Sequence, residues 1–154
     1  MKDYYKEIMR ALGNRLISVC LFGSVARREF NKNSDIDFLL VATRLPRSML
    51  ARSSVTASVH ERLKDSPGIH TLSSQGWNTF ISEIILTPEE IREHPPILLD
   101  ITGDGIILYD RGNTLHRELE RIRHRLRQLG SKRVKAKEGR YWLLKPDICC
   151  RRSR

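Results

Sequence analysis

The chain has 154 residues, of which 40% are hydrophobic and 30% charged, and its formal net charge is +10. This length suits one domain with a buried core. The three cysteines form no CxxC pair and have no zinc-ligand spacing, which excludes a zinc finger. No apolar run approaches the ~20 residues that cross a bilayer, and the N-terminus has no secretory hydrophobic segment, so we expect a cytoplasmic protein without a membrane partner.

The positive charge is concentrated at the C-terminal end. Residues 1–110 contain 13 basic and 14 acidic residues, whereas residues 111–154 contain 15 basic and 4 acidic ones. We therefore expect a core over 1–110, followed by a basic helix and tail over 111–154 within a single domain overall. Such a basic segment either binds a polyanion such as RNA or an acidic partner, or is only a solvated face.

The first half of the chain shows alternating helical and strand patterns. They predict a helix over 3–14, a strand over 15–22, a short helix over 24–29, a strand over 35–42 and a helix over 47–64. The apolar run after Asp37 is continuous, which predicts a strand that is buried on both faces and central in its sheet. Pro67-Gly68 is expected to end the last of these helices.

The second half continues the alternation. The patterns predict a strand over 79–86, a short helix from Thr87, a helical turn over 97–101, a strand over 106–109 and a helix over 113–129. Thr87-Pro88-Glu89-Glu90 has the residues of a capping box. In the last helix five apolar residues form a narrow seam that packs on the sheet or on a partner helix. The order of elements predicts an α/β (α+β) fold, with a mixed sheet flanked by helices.

The candidate site lies between the first two strands. Gly23-Ser24 ends one strand, and Asp35-Ile36-Asp37 begins the next. Carboxylates at positions i and i+2 of a strand point to the same face, so one divalent cation can bind both. Mg²⁺ prefers such oxygen ligands and shares them with substrate phosphates, to which the Gly23-Ser24 turn offers N–H groups and a hydroxyl. This pattern favours phosphoryl or nucleotidyl transfer.

The segment CLFGSVARREFNKNSDIDFLLV resembles the minimal nucleotidyltransferases of the DNA polymerase β superfamily, in which an hG[GS] motif precedes a DxD pair. The resemblance implies a polymerase-β-like fold and Mg²⁺-dependent transfer of a nucleoside monophosphate, with ATP as the expected donor, to an acceptor hydroxyl. It implies that Gly23 and Ser24 contact the triphosphate and that Asp35 and Asp37 hold two Mg²⁺ ions. One departure is Arg28, which stands where many relatives have glycine after the arginine of GSxxR.

Two further residues are expected at the site. Family members usually add a third carboxylate from a neighbouring strand, which deprotonates the acceptor hydroxyl or binds the catalytic metal. Glu83 is the only acid within 79–86 and is our candidate; otherwise it is an exposed strand glutamate, and a neutral residue such as Ser82 takes the equivalent place. Arg27 either neutralises the triphosphate or pairs with Glu29 on the surface.

The resemblance also implies an alternative function. Minimal nucleotidyltransferases often occur with helical HEPN-type ribonucleases, so the chain could serve as the antitoxin of such a pair, with or without turnover. The apolar seam and the arginine-rich helix would then be the docking surface. Tyr141 and Trp142 lie among basic residues, where they either stack on RNA bases or form an apolar plug over the sheet edge.

Overall fold

The computed structural model describes residues 2–136 and 139–144. The helices are α1 (Lys2–Leu12), α2 (Gly23–Ala26), α3 (Met49–Lys64), α4 (Pro67–Ser74), α5 (Pro88–Arg92), α6 (Ile97–Asp104) and α7 (Thr114–Gln128). The strands are β1 (Leu16–Phe22), β2 (Ile36–Ala42), β3 (Ile81–Leu86), β4 (Ile106–Asp110), β5 (Lys132–Ala136) and β6 (Gly139–Leu143). Within these ranges no helix is long and apolar enough to cross a bilayer. Residues 145–154 of the predicted basic tail lie outside the described residues.

Four strands form one mixed sheet in the order β3-β2-β1-β4. Strand β1 runs antiparallel to both β2 and β4, while β2 and β3 are parallel. The prediction of a mixed sheet with a central second strand is thus confirmed. Burial on both faces follows from this position, and Leu39, Leu40 and Val41 are all fully buried.

Helices cover both faces of this sheet, and alternate residues of β2 belong to different cores. Phe38 and Leu40 pack in one cluster with residues of α1 and α3. Leu39 and Val41 pack in the other cluster with residues of α5, α6 and α7. Because side chains alternate along a strand, Asp37 lies on the α6–α7 face, as Leu39 does.

Two segments differ from the sequence prediction. Helix α3 ends before Pro67-Gly68, as predicted, but a further helix that the sequence did not predict, α4, begins at Pro67. Ser66 caps that helix by accepting a hydrogen bond from the backbone N–H of Ile69 at 3.3 Å, and proline is well suited to a first helical position. The basic segment after Gly130 was expected as a tail, yet it forms an antiparallel hairpin of β5 and β6.

The seam of α7 packs on the sheet, which is the first of its two predicted alternatives. Its four buried members are Leu115, Leu119, Ile122 and Leu126. Trp142 packs against the same core and donates from its indole N–H to the carbonyl of Leu99 at 3.1 Å, so it contacts α6 and not the predicted sheet edge. Tyr141, by contrast, is 49% exposed.

Candidate functional site

The turn between β1 and α2 lies against a carboxylate. The antiparallel register pairs Phe22 with Asp37, so the next residue, Gly23, meets the Asp37 side chain. Gly23 has φ +73°, and a Cβ there would overlap Asp37 Oδ2 and lie 3.0 Å from its Cγ. Both the left-handed backbone and the close approach require glycine. The Gly23 of the sequence motif is therefore explained by its contact with Asp37.

The carboxylate of Asp37 is partly buried at this turn. Burial raises its pKa; the Ser82 hydroxyl opposes this effect, the charge of Asp35 adds to it, and Arg27 opposes it. Asp37 therefore holds its negative charge at a cost in solvation. A divalent cation bound to the carboxylate would offset that cost.

Asp35 precedes β2 and is exposed. Its Oδ1 accepts a hydrogen bond from Asn78 Nδ2 at 2.7 Å. The same amide donates to the carbonyl of Asn33 at 3.3 Å, and its Oδ1 accepts from the N–H of Phe80 at 3.0 Å. Asn78 thus fixes the loop that carries Asp35 to the start of β3. It carries no local sequence signal, since its role arises from a contact across 43 residues.

Glu83 does not reach this pair, so the expectation that it supplies the third carboxylate needs correction. The parallel register pairs Asp37 with Ser82 and Phe38 with Glu83, which places Glu83 on the opposite face of the sheet. There it accepts hydrogen bonds from the hydroxyls of Tyr4 at 2.7 Å and Thr56 at 2.5 Å. A shift of one residue along β3 moves a side chain to the other face of the sheet, and the sequence alone could not tell which face Glu83 occupies.

Ser82 takes the position beside Asp37 that the third carboxylate was expected to hold. Across residues 2–136 and 139–144, no group of three or more His, Cys, Asp or Glu side chains is arranged to hold a metal ion. Asp35 and Asp37 stay the two carboxylates that the sequence predicts as cation ligands. Two carboxylates suit a hard cation that takes its other ligands from phosphate and water.

The residues after the turn form the short helix α2. Ser24 lies in its first turn, and its carbonyl accepts from the N–H of Glu29 at 3.0 Å. Arg27 Nε lies 3.2 Å from Glu29 Oε2, so the predicted surface pair is present. The charge of this guanidinium opposes the rise in the pKa of Asp37, and the backbone N–H of Arg27 donates to the carbonyl of Gly23 at 3.2 Å, which places the arginine beside the turn.

Arg28 adopts a backbone conformation that favours glycine. Its φ is +59°, in the left-handed region, where an L side chain costs roughly 1–2 kcal/mol. The glycine that many relatives carry at this place is thereby explained. The departure noted in the sequence adds strain at the end of the turn and leaves the turn itself intact.

Comparison with known proteins decides the family. The model for the family described as "Nucleotidyltransferase domain" matches residues 2–101. The chain belongs to this nucleotidyltransferase family. The predicted family and the transferase class are both confirmed. The matched segment contains the Gly23-Ser24 turn and both aspartates, and it ends within α6.

One relative and two solved structures are similar to this nucleotidyltransferase. "Putative protein adenylyltransferase MJ1305" of Methanocaldococcus jannaschii is 30% identical over 125 residues, which are 80% of this chain and 78% of that protein. A crystal structure of a toxin-antitoxin with AMP-PNP has a TM-score of 0.50 at 13% identity, covering 84% of this chain and 92% of that one. A crystal structure of a spectinomycin adenyltransferase from Enterococcus faecialis with ATP and spectinomycin has a TM-score of 0.52 at 14% identity. The match covers 83% of this chain and 65% of that one. These structures share its fold, and the predicted polymerase-β-like fold is confirmed.

Proposed function

We propose that this nucleotidyltransferase transfers AMP from ATP to an acceptor hydroxyl with the help of Mg²⁺. The contact between the Gly23 backbone and the Asp37 carboxylate is the observation that carries the proposal. It supports a site in which a carboxylate able to bind a metal lies beside the backbone N–H groups at the start of α2, which would bind a phosphate. The choice of ATP is supported by the archaeal relative, whose name is that of a protein adenylyltransferase.

Asp35 and Asp37 would hold the metal, with two Mg²⁺ ions expected between them and the nucleotide. The chemistry supplied by Mg²⁺ would be positive charge that reduces the negative charge met by the attacking oxygen. Gly23 and Ser24 would bind phosphate oxygens through backbone N–H groups and a hydroxyl. Arg27 would approach the triphosphate from the end of α2.

In the reaction, the acceptor oxygen forms a bond to the α-phosphorus of ATP. The bond from that phosphorus to the oxygen bridging the α- and β-phosphates breaks, and pyrophosphate leaves with the electron pair. Since the described residues place Ser82, and no third carboxylate, beside Asp37, the hydroxyl proton is expected to pass to water. Rate acceleration would then come from positioning and charge stabilisation.

ATP labelled at a single phosphate tests this proposal. The purified protein is incubated with Mg²⁺, total RNA and cell-extract proteins, and with ATP labelled at either the α- or the γ-phosphate. We expect α-label on an acceptor and γ-label only in pyrophosphate. Label on a protein tyrosine or on RNA ends would identify the class of acceptor. Transfer of the γ-label to an acceptor would indicate a kinase and contradict the proposal.

A second candidate function is that of an antitoxin for a HEPN-type helical protein. The fold is shared with a chain from a toxin-antitoxin crystal structure, which favours it. The apolar seam of α7 is buried on the sheet, so docking would use the exposed arginines of α7, such as Arg117, Arg125 and Arg127. Co-expression with a HEPN-type protein, followed by purification, tests this; replacing the three arginines by glutamate should abolish a complex that forms there. RNA binding by the basic segment would instead show a steep salt dependence and survive loss of the two aspartates.

A further inference from the structure

The C-terminal hairpin is held against α6 by one arginine and one tryptophan. Arg133 Nη2 lies 2.6 Å from Asp104 Oδ2, and its guanidinium carbon lies 6.0 Å from the ring centre of Trp142. A Cβ on Gly103 would overlap that guanidinium. The missing side chain at Gly103 leaves room for the Arg133 guanidinium against the backbone of α6. Arg133 thus fixes the position of the hairpin relative to α6.

A second arginine of the hairpin reaches the residues that follow the phosphate-binding turn. Arg140 Nη2 donates to Glu29 Oε1 at 2.5 Å, and its Nη1 lies 3.6 Å from Asp104 Oδ2. Arg27 shares both acids, with its Nε 3.2 Å from Glu29 Oε2 and its Nη1 4.0 Å from Asp104 Oδ2. Lys135 lies 3.7 Å from Glu29 Oε1. Four cationic side chains therefore surround two carboxylates, and the cluster carries excess positive charge.

Helix stability does not account for Asp104. Asp104 is the last residue of α6, the end at which a helix dipole disfavours an anion. The hydrogen bond from Arg133 nevertheless holds its pKa below the ordinary value; burial opposes this, and the charges of Arg133, Arg140 and Arg27 reinforce it. The two acids thus hold the guanidinium groups of Arg27 and Arg140 close to each other.

The cluster adjoins the Gly23 turn. Arg27 belongs to the cluster, and its backbone N–H donates to the carbonyl of Gly23 at 3.2 Å. Glu29 follows α2, the helix that begins at Gly23. A nucleotide whose α-phosphate lies near Asp37 would extend its remaining phosphates toward positive charge here. Arg140 lies beyond the segment matched by the nucleotidyltransferase family, which ends at residue 101.

We propose that Arg140, together with Arg27, binds the β- and γ-phosphates of the nucleotide, and that Glu29 and Asp104 hold these guanidiniums in place beforehand. The inference rests on the proposed function, since it assumes a nucleoside triphosphate at Asp35 and Asp37. Planar guanidinium groups match phosphate oxygens with paired N–H donors. On binding, Arg140 exchanges a carboxylate partner for a phosphate partner, and the C-terminal hairpin becomes a wall of the site.

Nucleotides with different numbers of phosphates test the inference. The full chain and its variants are titrated with ATP and with AMP in the presence of Mg²⁺. We expect Arg140→Ala to weaken ATP binding about tenfold or more and to leave AMP binding unchanged, because a hydrogen bond to a charged group is lost. Arg140→Lys should recover part of the ATP affinity, since the charge returns without the planar fork.

Arg10→Ala is the matched control. Arg10 is an exposed arginine in the last turn of α1. Helix α1 packs on the face of the sheet that carries Phe38 and Leu40, opposite the face of Asp37, so this arginine is remote from the site. The control should bind ATP as the unmodified chain does. Thermal unfolding of each variant verifies that it remains folded.

Each other outcome overturns the inference in a distinguishable way. If Arg140→Ala binds ATP as tightly as the unmodified chain, the inference is wrong and the proposed function stands. Equal losses for ATP and AMP would show that Arg140 only supports the fold. Loss of single-stranded RNA binding with ATP binding intact would make the cluster a nucleic-acid site. If the unmodified chain does not bind Mg²⁺ and ATP at all, the proposed function fails and the inference fails with it.

Discussion

Replacing Gly23 by alanine probes the contact on which the site is built. The backbone there is left-handed, and a methyl group would overlap Asp37 Oδ2. Two effects are expected. The left-handed conformation costs an L residue about 1–2 kcal/mol, which lowers the free energy of unfolding. The overlap forces the Asp37 carboxylate or the turn to move, which would separate the proposed metal ligand from the N–H groups proposed to bind phosphate.

Gly130→Ala is a control that isolates the second effect. Gly130 follows α7 with φ +63°, and a Cβ there meets nothing within 4 Å. Its conformational cost should therefore match that of Gly23→Ala, at about 1–2 kcal/mol, without any change at Asp37.

Denaturant unfolding and calorimetric titration with Mg²⁺ and ATP measure the two effects. The free energy of unfolding should fall in both variants because both residues have a left-handed backbone. The fall should be at least as large in Gly23→Ala, since only there does the new methyl group also overlap a side chain. Only Gly23→Ala should lose nucleotide binding. Undiminished nucleotide binding by a folded Gly23→Ala variant would refute the reasoning, because the close approach would then have no functional consequence.

Four other predictions follow from single contacts. Arg28→Gly should raise the free energy of unfolding by up to about 1 kcal/mol, measured by denaturant titration, since it relieves a left-handed arginine; a loss would contradict this. Glu83→Gln should leave Mg²⁺-dependent ATP binding unchanged in a calorimetric titration, because Glu83 lies on the face of the sheet opposite Asp37. A large loss of ATP affinity would show that Glu83 belongs to the site. Glu90→Ala should lower stability by about 2 kcal/mol at pH 7, since it removes a capping box and leaves the buried Arg52 without its carboxylate. The hydrogen bond from Arg52 lowers the pKa of Glu90 in the folded protein. The stability difference between the unmodified chain and Glu90→Ala should therefore be complete above pH ~5 and disappear as the pH falls through that lowered pKa. A difference that persists in acid would argue against the Arg52–Glu90 pair. Burial raises the pKa of Asp37, so calorimetry should show Mg²⁺-dependent ATP binding weakening on acidification at a higher pH than an ordinary aspartate would cause, and binding that is constant down to about pH 4 would refute this.

The sheet and most helices could be predicted because their signals are local. The Thr87 capping box is present as its four residues indicate, with the Thr87 hydroxyl accepting from the N–H of Glu90 and the Glu90 carboxylate accepting from the N–H of Thr87. The continuous apolar run after Asp37 correctly placed β2 in the centre of the sheet. Each of these features depends on neighbouring residues and on the period of a helix or a strand.

The missed features depend on contacts between distant parts of the chain. The face on which Glu83 lies is set by the parallel register of β3 against β2, which a shift of one residue would reverse. Asn78 acquires its role only when folding brings it to Asp35. The hairpin of β5 and β6 has a strongly charged sequence, and its position depends on Trp142 and on Arg133 meeting α6.

The central claim is that Asp35 and Asp37 together bind a cation shared with a nucleotide. Calorimetric titration of ATP into the protein, with and without Mg²⁺, tests it most directly when the unmodified chain is compared with the double variant Asp35→Asn and Asp37→Asn. We predict binding that requires Mg²⁺ in the unmodified chain and is abolished in the double variant, which keeps the shape of both side chains. Mg²⁺-dependent binding of equal strength in the two proteins would contradict the claim.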